Sequence, residues 1–127
     1  MPPRAPLKPT PAELEILQVL WARGPSTVRE VAEELGRAAS YTTVLKLMQI
    51  MADKRLVKRE EESRAHVYRA FLPRQHMQLR LVKDLAERAF GGSMLGLLQQ
   101  AVSGAAVSKE ELRALRELIE REEKRKP

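Results

Sequence analysis

Polar side chains recur along one side of the segment from Ser40 to Lys54, whose apolar spacing predicts an α-helix. At about 100° per residue, the apolar side consists of Val44, Leu47, Met48 and Met51. The opposite side consists of Thr42, Lys46, Gln49 and Asp53. Hydroxyl, amide and ammonium groups can hydrogen-bond to base edges and phosphates in the major groove of DNA, which is wide enough for a helix. The stripe predicts nucleic-acid binding, and an ordinary solvated helix face is the alternative.

The charge distribution favours the first interpretation. The chain has 127 residues, a net charge of +6 and a pI near 10.0, which permits a polyanionic partner. Residues 10–36 have a net charge of −3, whereas residues 37–69 have a net charge of +4. Candidate phosphate contacts in this basic part are Arg37, Lys58, Arg59 and Arg64. The acidic run Glu60-Glu61-Glu62 is an objection, because it would repel phosphates.

Catalytic and metal-binding patterns are missing from the sequence. There is no glycine-rich phosphate loop, no paired-carboxylate pocket and no nucleophile with a plausible base. The absence of cysteine excludes disulfides and thiolate metal sites. His66 and His76 have no recognisable ligand spacing. We therefore expect no enzymatic activity, no metal and no cofactor.

The amino-terminal segment Met1-Pro2-Pro3-Arg4-Ala5-Pro6 is proline-rich and does not look like a leader. The chain also contains no run of about 18 apolar residues. We expect a cytoplasmic protein that is not inserted into a membrane, with residues 1–9 as a flexible tail.

Three helices are predicted in the first half of the chain. Thr10-Pro11-Ala12-Glu13 combines an N-cap hydroxyl, a proline at the first position and a glutamate at the third, and Gly24-Pro25 ends that helix. Thr27 to Glu30 forms a second capping box, with Gly36 as the C-cap. Ser40 caps the third helix, which extends to about Lys54.

A β-hairpin is predicted after the helices. Residues 56–60 and 65–71 are rich in β-favouring side chains, and the polar residues 61–64 form the turn between them. Three helices followed by a hairpin is the order of a winged helix-turn-helix. The predicted fold class is mainly α, an α+β winged helix-turn-helix over residues 10–72 followed by a carboxy-terminal helical dimerisation region over residues 73–127.

The carboxy-terminal region is predicted to contain a helix from Gln75 to Phe90, broken by Gly91-Gly92, a short apolar segment at residues 94–98, and a last helix capped by Ser108. Its highly charged end, residues 121–127, is expected to fray. These helices have too little mass for an independent core, so we expect a homodimer; helices folded back on the same chain are the alternative. The candidate dimer contacts are Leu79, Val82, Leu85, Leu97, Leu98, Leu112, Leu115, Leu118 and Ile119.

Four sequence features carry a family resemblance. They are Thr10-Pro11-Ala12-Glu13-Leu14-Glu15-Ile16-Leu17 with Trp21, Thr27-Val28-Arg29-Glu30-Val31, Tyr41-Thr42-Thr43-Val44, and Arg64-Ala65-His66-Val67-Tyr68. With these features the chain resembles the penicillinase and methicillin-resistance repressors of the BlaI/MecI type, which are winged-helix regulators of bacteria. The resemblance spans nearly all of residues 7–123.

The resemblance implies a homodimer that binds a palindromic double-stranded DNA operator, with a membrane sensor protease system whose action leads to cleavage in the dimerisation region. At the cleavage position this chain has Gln99-Gln100, where the best-known members have asparagine and phenylalanine. It also lacks the carboxy-terminal cysteines of copper-responsive relatives, so thiolate copper sensing is excluded. The resemblance places Tyr41, Thr42, Thr43 and Lys46 at DNA-facing positions.

The predicted function is that of a sequence-specific, dimeric transcriptional repressor. The full set of candidate DNA contacts is Arg37, Ser40, Tyr41, Thr42, Thr43, Lys46, Gln49, Lys58, Arg59, Arg64 and His66. The alternative is a winged-helix protein-interaction module without DNA binding. Salt-dependent retention on duplex DNA distinguishes the repressor from the interaction module, because only the repressor would depend on phosphate contacts.

Overall fold

The computed structural model describes residues 8–36, 40–62, 65–104 and 107–127. Helices alternate with one small sheet in the order α1 (Pro11–Arg23), β1 (Ser26–Thr27), α2 (Val28–Leu35), α3 (Tyr41–Asp53), β2 (Val57–Glu62), β3 (Ala65–Ala70), α4 (Arg74–Ala89), α5 (Met94–Ser103) and α6 (Lys109–Arg125). The predicted fold class, mainly α with a winged helix-turn-helix and carboxy-terminal helices, is confirmed. The chain divides into two compact units, residues 1–79 and residues 80–127.

Side-chain caps begin the first three helices where the sequence predicts them. In α1 the Thr10 hydroxyl accepts from the Glu13 N–H at 3.2 Å, and the Thr10 N–H donates to Glu13 Oε1 at 2.9 Å. Thr27 and Glu30 form the same capping box at the start of α2. Ser40 caps α3, because its Oγ accepts from the Thr43 N–H at 3.2 Å. These hydroxyls satisfy amides that have no partner within the helix.

The sheet has one strand more than the sequence predicts. Its order is β1-β3-β2, and β1 pairs with β3 through Ser26↔Tyr68 and Thr27↔Val67. The predicted turn at residues 61–64 is wrong in its first half, because β2 continues through Glu62. Since β2 is an edge strand, charged residues such as Glu61 can stay exposed while their backbone remains paired.

The core of the first unit lies between the three amino-terminal helices and the sheet. Its fully buried apolar side chains include Ile16, Leu17, Leu20, Val31, Val44, Met48, Met51, Leu56, Val57 and Tyr68. We call the hairpin of β2 and β3 the wing. Trp21 connects α1 to the segment just after the wing, because its Nε1–H donates to the Leu72 carbonyl at 3.0 Å. The apolar side of α3 is therefore held against the core, and its opposite side is left at the surface.

The packing of α3 gives a first testable prediction. Met48→Ala is expected to lower the free energy of unfolding by about 3 kcal/mol, because it leaves a cavity where no part of the side chain is exposed. Ile50→Ala is the control on the same helix; its side chain is 40% exposed, and its loss should stay within about 1 kcal/mol. Urea unfolding followed by circular dichroism measures both. Equal losses would contradict the assignment of the buried side.

The second unit contains longer helices than the sequence predicts. The short apolar segment at residues 94–98 is part of α5, which continues to Ser103, and Ser93 caps it by accepting from the Gly96 N–H at 2.9 Å. The expected fraying from Arg121 is also wrong, because α6 continues to Arg125. Arg125 Nε lies 2.7 Å from Glu122 Oε2, and opposite charges at this spacing support a helix. The hydrogen bond from Arg125 lowers the pKa of the Glu122 carboxyl below its ordinary value.

Apolar side chains of the carboxy-terminal helices remain at the surface. No residue of α5 or α6, both described throughout, is fully buried. Among the candidate dimer contacts, Leu97 and Leu115 are half-buried. The others are exposed, and they are Leu79, Val82, Leu85, Leu98, Leu112, Leu118 and Ile119. Within the described residues, no helix has the length and apolar character needed to cross a membrane.

Candidate nucleic-acid interface

The outward side of α3 carries the polar stripe that helix geometry predicts. Thr42, Lys46, Gln49 and Asp53 are all exposed. Ser40, Tyr41 and Thr43 are also exposed at the start of the helix. The stripe is therefore a solvent-facing row of donors and acceptors on a helix whose other side is anchored by Val44, Met48 and Met51.

The strand register separates the two wing cations that the sequence treats as equivalent. Arg59 pairs with Tyr68, and Lys58 pairs with Arg69. Because successive side chains alternate between the two faces of a strand, Arg59 shares a face with the buried Tyr68, and Lys58 lies on the other face. We call these the inner and outer faces of the wing. His66 lies on the inner face, because it is two residues from Tyr68.

The acidic run at the wing is likewise distributed over different environments. Glu60 lies on the outer face, where its Oε1 is 3.3 Å from Arg69 Nε. Glu61 is exposed and pairs with His66 in the strand register, so it lies on the inner face. Glu60 and Glu61 therefore do not form one continuous anionic surface, and the objection that they raise against phosphate binding is weaker than the sequence suggests.

A cleft of about 520 Å³ lies between the start of α2, α3 and the inner face of the wing. We call it the wing cleft. Its lining residues are Thr27, Val28, Arg29, Tyr41, Leu45, Gln49, Arg59, His66 and Tyr68. Four of the sequence-predicted DNA contacts, Tyr41, Gln49, Arg59 and His66, meet here. Lys58 is not among the lining residues.

Comparison with known proteins shows which family this chain belongs to. A family model described as penicillinase repressor matches residues 9–121. This chain belongs to the penicillinase repressor family. It is 36% identical over 111 residues to the transcriptional regulator BlaI of Mycobacterium tuberculosis, in both strain CDC 1551 and strain H37Rv, covering 84% of this chain and 79% of the relative. The family consists of transcriptional repressors, so this penicillinase repressor homologue is a transcriptional regulator and not an enzyme.

Arg29 and Ile50 of this penicillinase repressor homologue also belong to the candidate interface, although neither is among the sequence-predicted DNA contacts. Arg29 lines the wing cleft, and its guanidinium carbon lies 5.8 Å from the centre of the Tyr41 ring, within cation–π range. Ile50 is exposed beside the polar stripe. Its position four residues after Lys46 could have revealed it, because such residues are neighbours on a helix. No local signal connects Arg29 with Tyr41.

Salt bridges distinguish the basic residues of the first unit of this repressor. Arg23 is engaged by Glu30 at 3.0 Å and by Glu34 at 3.9 Å. The backbone N–H of Thr27 lowers the pKa of Glu30 below its ordinary value, which keeps this partner ionised. Within the described part of the chain, neither Arg29 nor Arg59 forms a salt bridge. Their charges remain available to an anionic ligand.

Two of the sequence-predicted DNA contacts, Arg37 and Arg64, lie outside the described residues of this family member. In the ranges that the structure describes, no group of three or more histidine, cysteine or acidic side chains could hold a metal. His66 lies on β3, and His76 lies on α4.

Proposed function

We propose that this repressor acts as a homodimer on a palindromic operator, with one copy of α3 in the major groove of each half-site. The observation that carries the proposal is the exposed polar stripe on a helix whose opposite side buries Val44, Met48 and Met51. Amide, hydroxyl and ammonium groups in this arrangement match the acceptors and donors of base edges and the charge of phosphates. Two such helices related by twofold symmetry would read half-sites about one helical turn apart.

The proposed dimer is supported by the surface of the second unit. Between α5 and α6 lies a groove of about 850 Å³, which we call the apolar groove. Its apolar lining residues are Leu95, Leu98, Val102, Leu115, Leu118 and Ile119. Soluble proteins seldom leave an extended apolar patch uncovered. A second copy of the same helices would bury these side chains and would supply the symmetry that a palindrome requires.

Relief of repression by proteolysis, through a membrane sensor protease system, stays a prediction from the family resemblance. Gln99 and Gln100 lie within α5. A protease needs an extended backbone, so cleavage there would require local unfolding of this helix. Limited proteolysis of the DNA-bound and free protein would show whether the segment opens.

Selection of bound duplexes from a random pool tests the proposed function most directly. We expect an inverted repeat, because two identical subunits bind identical half-sites in opposite orientation. Retention of the protein on the selected duplex should fall steeply as salt increases. An unenriched pool together with salt-insensitive retention would contradict DNA recognition and favour the protein-interaction alternative.

Lys46→Ala gives a second testable prediction. Loss of one contact in each subunit should weaken operator binding by roughly 30-fold per dimer. A lost phosphate contact would also lower the salt dependence by about two units, whereas a lost base contact would relax the preference at one base pair of each half-site. Gel shifts across a salt series measure this. Lys109→Ala removes the same charge from α6 and should leave binding unchanged; equal behaviour of the two variants would contradict a role for Lys46.

A further inference from the structure

We propose that the wing cleft holds one backbone phosphodiester of the bound duplex, clamped between Arg29 of α2 and Arg59 of β2. The inference rests on the proposed function and deepens it, because it adds α2 to the DNA-binding surface. It also assigns a role to Arg29, which is not among the DNA contacts predicted from the sequence. The proposed ligand is therefore a phosphodiester anion of the DNA sugar-phosphate backbone.

The position of the wing cleft suits a DNA strand that passes over α3. Tyr41, Leu45 and Gln49 line it from α3, and their four-residue spacing places them in one row along the helix. Gln49 belongs both to this row and to the polar stripe. The mouth of the cleft therefore borders the side of α3 that we propose reads the major groove. A backbone running along that groove would lie against the cleft.

The charge of the wing cleft suits a phosphate. Arg29, Arg59 and His66 bring donors from α2, β2 and β3, and no carboxylate is among the lining residues. Glu61 lies on the same face of the wing opposite His66, but it is exposed and forms no salt bridge with Arg59. Arg29 and Arg59 have no salt-bridge partner among the described residues, whereas Arg23 and Arg69 of the same unit do. Guanidinium groups bind phosphate through two parallel hydrogen bonds, which makes arginine well suited to such a site.

The wing cleft is also preorganised. The N-cap of α2, Thr27, pairs in the sheet with Val67, the neighbour of His66 on β3. Main-chain hydrogen bonds thereby fix the start of α2 relative to the wing. The Tyr41 ring lies under the Arg29 guanidinium and limits its freedom. Because the start of α2 is fixed and Arg29 is restrained against Tyr41 before DNA binds, less ordering remains to oppose binding.

Mutant cycles on the full chain test the clamp. The operator duplex obtained by selection is titrated at several KCl concentrations with the wild type, Arg29→Ala, Arg59→Ala and the double variant. Each single variant is expected to bind about tenfold or more weakly per dimer, with the salt dependence lowered by about two units. The double variant should lose much less than the product of the single losses, because both arginines hold one phosphate.

Lys58→Ala is the matched control, since it removes the same charge from the residue next to Arg59 but on the outer face of the wing. Its effect should multiply with that of Arg29→Ala, because the two side chains share no phosphate. Arg29→Lys should retain the salt dependence and bind with intermediate affinity, because a lysine keeps the charge and loses the planar fork. Thermal unfolding of every variant confirms that the fold is intact.

Phosphate ethylation interference locates the contact. For the wild type we expect one phosphate in each half-site whose ethylation weakens binding and which drops out of the pattern in Arg29→Ala. Wild-type affinity of Arg29→Ala, or independent effects of Arg29→Ala and Arg59→Ala, would overturn the clamp while leaving the proposed function intact. Failure of the wild type to bind any duplex would overturn both.

Discussion

The double variant Leu98→Glu/Leu118→Glu is expected to be a monomer in solution, with half the mass of the proposed dimer. Its operator affinity should fall by about 100- to 10,000-fold. Both side chains line the apolar groove and are exposed in the single chain. In the proposed dimer the two carboxylates would be buried without partners, which is strongly unfavourable. Once the subunits separate, each half-site is bound independently and the gain from linkage is lost.

The dimer prediction is checked by sedimentation equilibrium and by gel shifts on the selected operator. Gln100→Glu combined with Ala114→Glu is the control, because it adds two carboxylates at exposed positions of α5 and α6 outside the apolar groove. The control should keep the mass and the affinity of the wild type. A Leu98→Glu/Leu118→Glu variant that remains a dimer with full operator affinity would rule out this groove as the interface.

Lys54→Met is expected to lower the free energy of unfolding by about 3–5 kcal/mol, because it leaves a buried carboxylate without its cation. Glu13 is 2% exposed, and its Oε1 lies 2.6 Å from Lys54 Nζ. After the substitution the hydrogen bond from the Thr10 N–H is the one that the carboxylate keeps among the described residues. Chemical denaturation at neutral pH measures the loss.

The reverse substitution provides the control for the Glu13–Lys54 pair. Glu13→Gln should lower the free energy of unfolding by only about 1–2 kcal/mol, because the Lys54 side chain is 19% exposed and can reach water. The double variant Glu13→Leu/Lys54→Met should be more stable than Lys54→Met alone, since it removes both charges. Similar losses from Lys54→Met and Glu13→Gln would show that the carboxylate is not effectively buried.

The Glu13–Lys54 pair also bears on DNA recognition. Glu13 belongs to the capping box of α1, and Lys54 is the C-cap of α3. The ion pair therefore joins the first turn of the domain to the end of the helix that we propose reads the operator. A variant that weakens this ion pair, such as Lys54→Met, should therefore bind the operator less tightly, because α3 is no longer held in its position. This effect is expected even though neither Glu13 nor Lys54 lies on the polar stripe.

Local sequence signals are sufficient to predict the helices of the first unit and the side on which α3 packs. Thr10, Thr27 and Ser40 act on amides only three residues away, and the spacing of Val44, Met48 and Met51 repeats within one helix. Both kinds of signal are local, so they can be recognised without knowledge of the fold. Three of the four features of the family resemblance lie in these same segments.

The cleft between the wing and α2 depends instead on contacts between residues that are far apart in the chain. The pairing of Ser26 with Tyr68 joins residues that are distant in sequence, and a two-residue strand has no periodicity of its own. The register then places Arg59 on the inner face and Lys58 on the outer face, although the two are chemically alike and adjacent in the chain. The approach of Arg29 to Tyr41 follows from the packing of α2 against α3. Such contacts depend on long-range backbone pairing and helix packing, which composition and spacing along one element do not encode.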